Sequence, residues 1–201
     1  MKLRDFRKLM KKPVFSWEEA RVVAFSTSPG QLKLQLHMWK TASEIISLRR
    51  GVYTFADSKP SIAEIASALY SPCAISLEYA LNLHGLLPDI PFGITLVTTR
   101  QTRKFNTAFG QFSYQKIKKE AFVGFDPKTL LAEREKALVD YLYLNRNRMR
   151  TDVDFLHEMR WQHLETIRFA RARKFAGMFG FKKLTLLLDA LEAYAKSCSS
   201  R

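Results

Sequence analysis

Ser28-Pro-Gly-Gln-Leu-Lys-Leu-Gln-Leu-His-Met-Trp-Lys40, a joint at 41–44, and Ile45-Ile-Ser-Leu-Arg-Arg-Gly-Val-Tyr-Thr-Phe55 decide the reading of this 201-residue chain. Ser28 suits a helix N-cap, and Pro29 suits the first helical position, where a missing N–H leaves no hydrogen bond unmade. Leu32, Leu36 and Trp39 recur at helical spacing and predict one buried stripe. Lys33, His37 and Lys40 share a different, polar face and, with Ser28 and Gln31 at the start of the helix, are the candidate contacts of that helix with a polyanion such as DNA. The period then changes. Ile45–Leu48 and Val52–Phe55 read as two strands joined at Arg49-Arg50-Gly51. A helix with a cationic face, followed at once by a hairpin with two arginines at its tip, matches the second half of a winged helix-turn-helix. Such a helix fits the DNA major groove, and the hairpin can lie along the backbone or minor groove. The plainer reading is a helix and hairpin whose Lys and Arg simply face water.

The sequence upstream completes a small domain. Leu3, Phe6 and Met10 define a first helix. Ser16-Trp-Glu-Glu19 is a capping box opening a second helix to about Phe25, with Trp17, Ala20 and Val23 or Ala24 inward. Leu34 and Met38 lie off the buried stripe of the third helix. The expectation is that they pack on the rest of the chain; the alternative is that they are exposed, as isolated apolar residues often are. Residues 1–56 therefore read as a winged helix-turn-helix domain, ending at Asp57-Ser-Lys-Pro60.

Residues 57–201 read as an α/β domain with a small mixed or antiparallel sheet and C-terminal helices, so the fold class is α+β. Ser61-Ile-Ala-Glu64 is a second capping box, and Ser76 is expected to cap a helix from Leu77 to His84, ended by Gly85. Strands are expected at Gly93–Thr98, Lys104–Thr107, Gly110–Ile117 and Phe122–Phe125. Helices follow at Leu130–Leu144, Asp152–Trp161, His163–Phe175 and Phe181–Ala195, with Gly177 and Gly180 marking the last break.

Composition narrows the class. The chain is 47% hydrophobic and 26% charged, an ordinary globular balance. No apolar run approaches the ~20 residues that span a bilayer, and Met1-Lys-Leu-Arg-Asp-Phe-Arg-Lys8 lacks the apolar core of a signal peptide. A cytoplasmic protein with no membrane partner is expected. Cys73 and Cys198 fit no metal spacing and read as free thiols. The net charge of +14 favours a polyanionic partner, since each neutralised phosphate releases condensed counterions. Residues 1–55 hold 11 Lys/Arg against 4 Asp/Glu, half of the whole excess.

The segments Leu48-Arg-Arg-Gly-Val-Tyr53, Ile75-Ser-Leu-Glu-Tyr-Ala-Leu-Asn-Leu-His-Gly-Leu86, Val97-Thr-Thr-Arg100, Arg103-Lys-Phe105, Phe109-Gly-Gln-Phe112 and Glu135-Lys-Ala-Leu-Val-Asp140 together resemble the AbiEi family. These are antitoxins and autorepressors of bacterial abortive-infection, type IV toxin–antitoxin systems. The resemblance covers about residues 45–145. It implies an N-terminal winged helix that binds operator DNA and represses its own operon. It also implies a C-terminal domain needed for antitoxin activity and a cognate nucleotidyltransferase toxin, counteracted either by direct binding or only functionally. In that frame the helix with Lys33, His37 and Lys40 is the recognition helix, and Arg49 and Arg50 form the wing.

No catalytic chemistry is expected. There is no glycine-rich phosphate loop, and no Gly-Ser before paired aspartates. Glu133-Arg-Glu135-Lys136 has the residue types of a metal nuclease, but Glu133, Arg134 and Lys136 read more simply as a solvated helix face. His157 and His163 are six apart, which does not make a helical zinc pair. No cofactor or metal is expected.

Two further basic clusters are open. Arg100, Arg103 and Lys104, with Lys116, Lys118 and Lys119, accompany Phe105, Phe112 and Tyr114. Those aromatics could stack on single-stranded RNA, although the favoured reading is core. Arg168, Arg171, Arg173 and Lys174 could meet DNA, an acidic partner or water. The alternative function is RNA binding or nuclease-like action through the C-terminal domain.

Overall fold

The computed structural model describes residues 1–199, an α+β protein with two small sheets and a helical C-terminal part. The chain divides into two compact units: residues 1–71 with 105–111, and residues 72–104 with the chain from 112 onward. The break expected at 56/57 therefore falls at 71/72. The reason is a helix over Ile62–Leu69, which packs against the first strand and buries Ile65, Ala66 and Leu69. Among the described residues no helix is long and apolar enough to cross a membrane.

The first unit runs α1 (Leu3–Leu9), β1 (Val14–Ser16), α2 (Trp17–Val23), α3 (Pro29–Thr41), β2 (Ile45–Arg49), β3 (Val52–Phe55) and α4 (Ile62–Leu69). Its sheet is antiparallel, in the order β1-β3-β2, with Val14 opposite Thr54 and Ile45 opposite Phe55. β1 was not legible as a strand, and it gives the hairpin its third, inner partner. The Ser16 box forms as expected: the Ser16 hydroxyl accepts from Glu19 N–H, and the Glu19 carboxylate accepts from Ser16 N–H at 2.8 Å. Ser28 accepts from Gln31 N–H at 3.3 Å and starts α3. Leu32, Leu36 and Trp39 are buried with Phe6, Phe15, Ile45 and Phe55. Leu34 and Met38 are not packed: they are 60% and 59% exposed, because they sit across the helix from the only stripe that the core accepts.

The second unit contains β4 (Ala74–Ile75), α5 (Leu77–Leu83), β5 (Ile94–Thr98), the open end of the hairpin β6 (Arg103–Thr107) and β7 (Gly110–Lys116), whose tip at 105–111 belongs to the first unit, then α6 (Arg134–Asn145), α7 (Val153–Glu158), α8 (Phe169–Phe179) and α9 (Lys182–Ser199). The strand order is β4-β5-β7-β6, mixed, because β5 pairs antiparallel with β4 and parallel with β7. Phe112 and Tyr114 on β7 are fully buried and serve the core. Phe122–Phe125 is not a strand. Gly124 turns the chain with φ +78°, and only Phe125 makes a bridge, to Ala132. α6 begins at Arg134 rather than 130. The Asp126 carboxylate accepts from Lys128 and Thr129 N–H, at 2.8 and 2.7 Å, and holds the preceding residues in a turn. His163 lies outside α8, with φ +51°, and α8 continues through Gly177 to end at Gly180.

Ser76 sits at the N-cap of α5 but does not cap it. The Thr95 hydroxyl on β5 takes that role, accepting from Tyr79 N–H at 3.0 Å while donating to Ser76 C=O at 2.8 Å. The Ser76 hydroxyl instead donates to Asp140 at 2.8 Å. Asp140 also pairs with Lys136, one turn away on α6, and both side chains are buried. Lys136 is thus a core residue, not part of a solvated face. Burial pushes the Lys136 ammonium down and the Asp140 carboxyl up from their ordinary values, while mutual attraction opposes both shifts.

Two outcomes follow. Asp140→Asn leaves a buried ammonium with a neutral partner and should destabilise by about 3–5 kcal/mol, whereas Lys136→Met with Asp140→Leu should come within about 1–2 kcal/mol of the native chain; denaturant unfolding measures both. At Glu19, burial pushes the carboxyl up, but the Lys12 and Ser16 bonds outweigh it and leave it below its ordinary value. A depressed carboxyl stabilises fully above its unfolded value and loses that contribution as pH falls through the folded one. Glu19→Gln should therefore lower the melting temperature at pH near 7, and the difference should shrink well below about pH 4.

Candidate nucleic-acid interface

α3 is amphipathic by necessity. Its inward stripe is fixed by Leu32, Leu36 and Trp39, so Lys33, His37 and Lys40 project from its exposed side. The hairpin is fixed independently. β3 is sandwiched between β1 and β2, and Gly51 takes φ +77°, which favours glycine at the tip. Trp17 N–H donates to Gly51 C=O at 2.8 Å and ties that tip to the start of α2. A register shift between Ser47 and Arg49 kinks β2 just before the turn.

These constraints leave an open groove of about 920 Å³ between α3 and the hairpin. Its lining includes Lys33, His37 and Lys40 from α3, Ser47, Arg50, Gly51 and Tyr53 from the hairpin, and Trp17. The Lys33 ammonium lies 5.6 Å from the centre of the Trp17 ring. No carboxylate lines the groove. Among the described residues, Lys33, Lys40 and Arg50 have no acidic partner, whereas Arg7, Lys12 and Arg21 in the same unit are paired with Asp57, Glu19 and Glu18. The groove is therefore a concentration of cationic donors with two half-buried aromatic walls. Chemically it suits a phosphodiester backbone better than a neutral or cationic ligand.

Four of the seven first-unit residues expected to meet DNA thus converge: Lys33, His37, Lys40 and Arg50. Arg49 is exposed but lies outside the groove; its guanidinium is 5.9 Å from the Phe105 ring centre and donates to Arg50 C=O at 3.5 Å. Ser28 and Gln31 stand at the exposed start of α3, with the Ser28 hydroxyl occupied as a cap acceptor. Sequence reasoning missed Trp17, Ser47 and Tyr53. The alternation of β3 carried the signal for Tyr53, since Val52 and Thr54 are buried between its neighbours.

The other clusters differ. Arg100 lies in the bend just after β5, and Arg103 and Lys104 open β6; all three are exposed. Arg168 donates to Glu135 at 2.9 Å, and this bond holds the Glu135 carboxyl below its ordinary value although burial pushes it up. Arg171 is bidentate to Glu133 at 2.6 and 2.7 Å, and Arg173 bonds Asp189 and Glu192. The three arginines of the basic run at and after the start of α8 are thus bound to carboxylates, and Glu133 and Glu135 are occupied by arginines. Among the described residues no cluster of His, Cys, Asp or Glu is arranged to hold a metal ion. Burial raises the Cys73 thiol to about 12, which keeps it protonated and unreactive.

No protein-family model matches the chain, and no curated protein matches it.

The contrast between the two basic surfaces is measurable. Lys33→Ala with Lys40→Ala should flatten the slope of log affinity against log salt for duplex DNA by about 1.8, at 0.9 per lost phosphate contact. Arg168→Ala with Arg171→Ala should leave that slope within about 0.3 of the native value, because those charges are already compensated.

Proposed function

We propose that the first unit is a winged helix that binds duplex DNA, with α3 entering the major groove and the β2–β3 hairpin lying on the flanking backbone. The observation that carries this reading is the convergence of Lys33, His37, Lys40 and Arg50 on one groove free of carboxylates. The element order, with a strand between the first two helices and a hairpin after the third, is compatible with that fold. The uneven charge supports it, since residues 1–55 hold 11 Lys/Arg against 4 Asp/Glu.

The wider role follows from the resemblance to AbiEi antitoxins. The chain acts as a cytoplasmic, non-enzymatic regulator that occludes the promoter of its own operon and counteracts a cognate nucleotidyltransferase toxin. Lys33, Lys40 and Arg50 neutralise phosphates, and His37 supplies a polar contact. The RNA-binding alternative is weakened, because Phe112 and Tyr114, two of its three candidate stacking aromatics, are buried, although Phe105 is only half-buried.

Fluorescence anisotropy against a duplex from the chain's own upstream region, beside a scrambled duplex at about 150 mM salt, tests the reading. A preference of about 10³ or more is expected, and equal, weak binding to both would overturn operator-specific repression. Arg50→Ala should weaken binding to both duplexes and flatten the salt slope by about 0.9, with Arg49→Ala having the smaller effect.

A further inference from the structure

The outermost line of α3 offers few hydrogen-bonding groups, chiefly His37. Gly30, Leu34, His37 and Thr41 follow one another at helical spacing, diametrically across from the buried stripe. Gly30 has no side chain, and a Cβ there would meet no atom within 4 Å. The Thr41 hydroxyl donates to His37 C=O at 3.0 Å. Leu34, 60% exposed, stands on this line, and Met38, 59% exposed, borders it one turn further along, on the side away from Lys33 and Lys40. Lys33 and Lys40 run along one side of it, Gln31 and Gln35 along the other, and α3 carries no carboxylate. The surface is therefore an apolar strip with one cationic edge. Its complement is a polyanion that presents small apolar groups on its floor. The major groove of DNA has one such group, the C5-methyl of thymine.

Building on the DNA-binding reading above, we propose that α3 reads sequence chiefly through thymine methyl groups, with Leu34 and Met38 as the residues that contact them. Hydrogen-bonded readout is left to His37 and to Gln31 at the helix start.

The test uses the full chain. A randomised duplex pool about three helical turns long is enriched on the protein, and the best duplex is remade with deoxyuridine replacing thymine at each position in turn. Deoxyuridine keeps every hydrogen-bonding edge and lacks only the methyl. Anisotropy at about 150 mM salt should show one or two thymines whose methyl contributes about fourfold in affinity, the value of one buried methyl. Leu34→Ala or Met38→Ala should abolish the difference between thymine and deoxyuridine at one of those positions. Val22→Ala, at an exposed apolar position on α2, should leave it intact. Circular dichroism confirms that each variant folds.

Enrichment of a duplex that then tolerates deoxyuridine everywhere would overturn methyl reading and leave DNA binding standing. Failure to bind or enrich any duplex would overturn both. If Leu34→Ala abolishes self-association in light scattering and leaves methyl dependence unchanged, the strip belongs to a second copy of the chain, and the proposal falls.

Discussion

Phe6 is fully buried, and its ring centre lies 5.3 Å from that of Phe15, 5.2 Å from Trp39 and 6.3 Å from Phe55. One side chain from α1 thereby holds β1, α3 and β3 together. Aromatic contacts at these distances add specific geometry to a large burial of apolar area. The consequence reaches the surface. With Trp39 against Phe6, α3 cannot rotate about its axis, so the line through Gly30 and Leu34 must face outward. With Phe55 and Phe15 in contact at 5.1 Å, β3 cannot slide, so the turn at Arg50 and Gly51 is set relative to α3. The cationic groove is thus a by-product of core packing in which none of its own lysines takes part.

Much of this unit was legible because its signals are local. Capping boxes span four residues, and the α3 stripe repeats within two turns. β1 escaped because Val14-Phe15-Ser16 is too short to show alternation, and its partner lies some forty residues away at Val52–Thr54. Leu34 and Met38 were expected to be covered, since apolar residues on an amphipathic helix usually are. Nothing in the sequence marks a second stripe as outward-facing. In the second unit, the errors share one cause. Ser76 has the residue type and position of an N-cap, yet Thr95 reaches from β5 and takes its place. Lys136 and Asp140 stand at the i, i+4 spacing of a solvated pair, and only the three-dimensional packing of α6 shows them buried. Gly177 resembled a helix break, but nothing crowds it within 4 Å and the helix passes through.

Charge tells the same story at longer range. The run Arg168, Arg171, Arg173 and Lys174 looks like an exposed basic face when read alone. Its carboxylate partners lie 33 and 38 residues upstream at Glu135 and Glu133, and 16 and 19 downstream at Asp189 and Glu192. Those pairings tie α8 to α6 on one side and to α9 on the other. The pairs of Arg171 and Arg173, which are exposed or half-buried, contribute little stability individually, whereas Arg168 also satisfies the buried Glu135 carboxylate. Their larger effect is to remove positive charge from the surface where sequence alone would place it. Among the described residues, Lys33, Lys40 and Arg50 have no such compensation, so their charge stays available at the groove while that of Arg168, Arg171 and Arg173 is largely offset.

Concentrated charge still cannot distinguish one duplex from another. Three phosphate contacts change affinity by nearly three powers of ten per decade of salt, but they do so for every sequence. Discrimination has to come from base edges. On the proposed reading, one bidentate contact from Gln31 contributes about 1–3 kcal/mol and two methyl contacts about 0.8 kcal/mol each, together about 10²–10³ in preference. Only the top of that range reaches the roughly 10³ at which specific binding typically begins. Gly30 has no side chain and the Thr41 proton is already bonded to His37 C=O, so on that reading the apolar contacts would be no accessory to recognition by this helix. They would supply the part of the preference that lifts it above its own background, and a helix with polar residues at both positions would have to find two further hydrogen bonds of good geometry to match them.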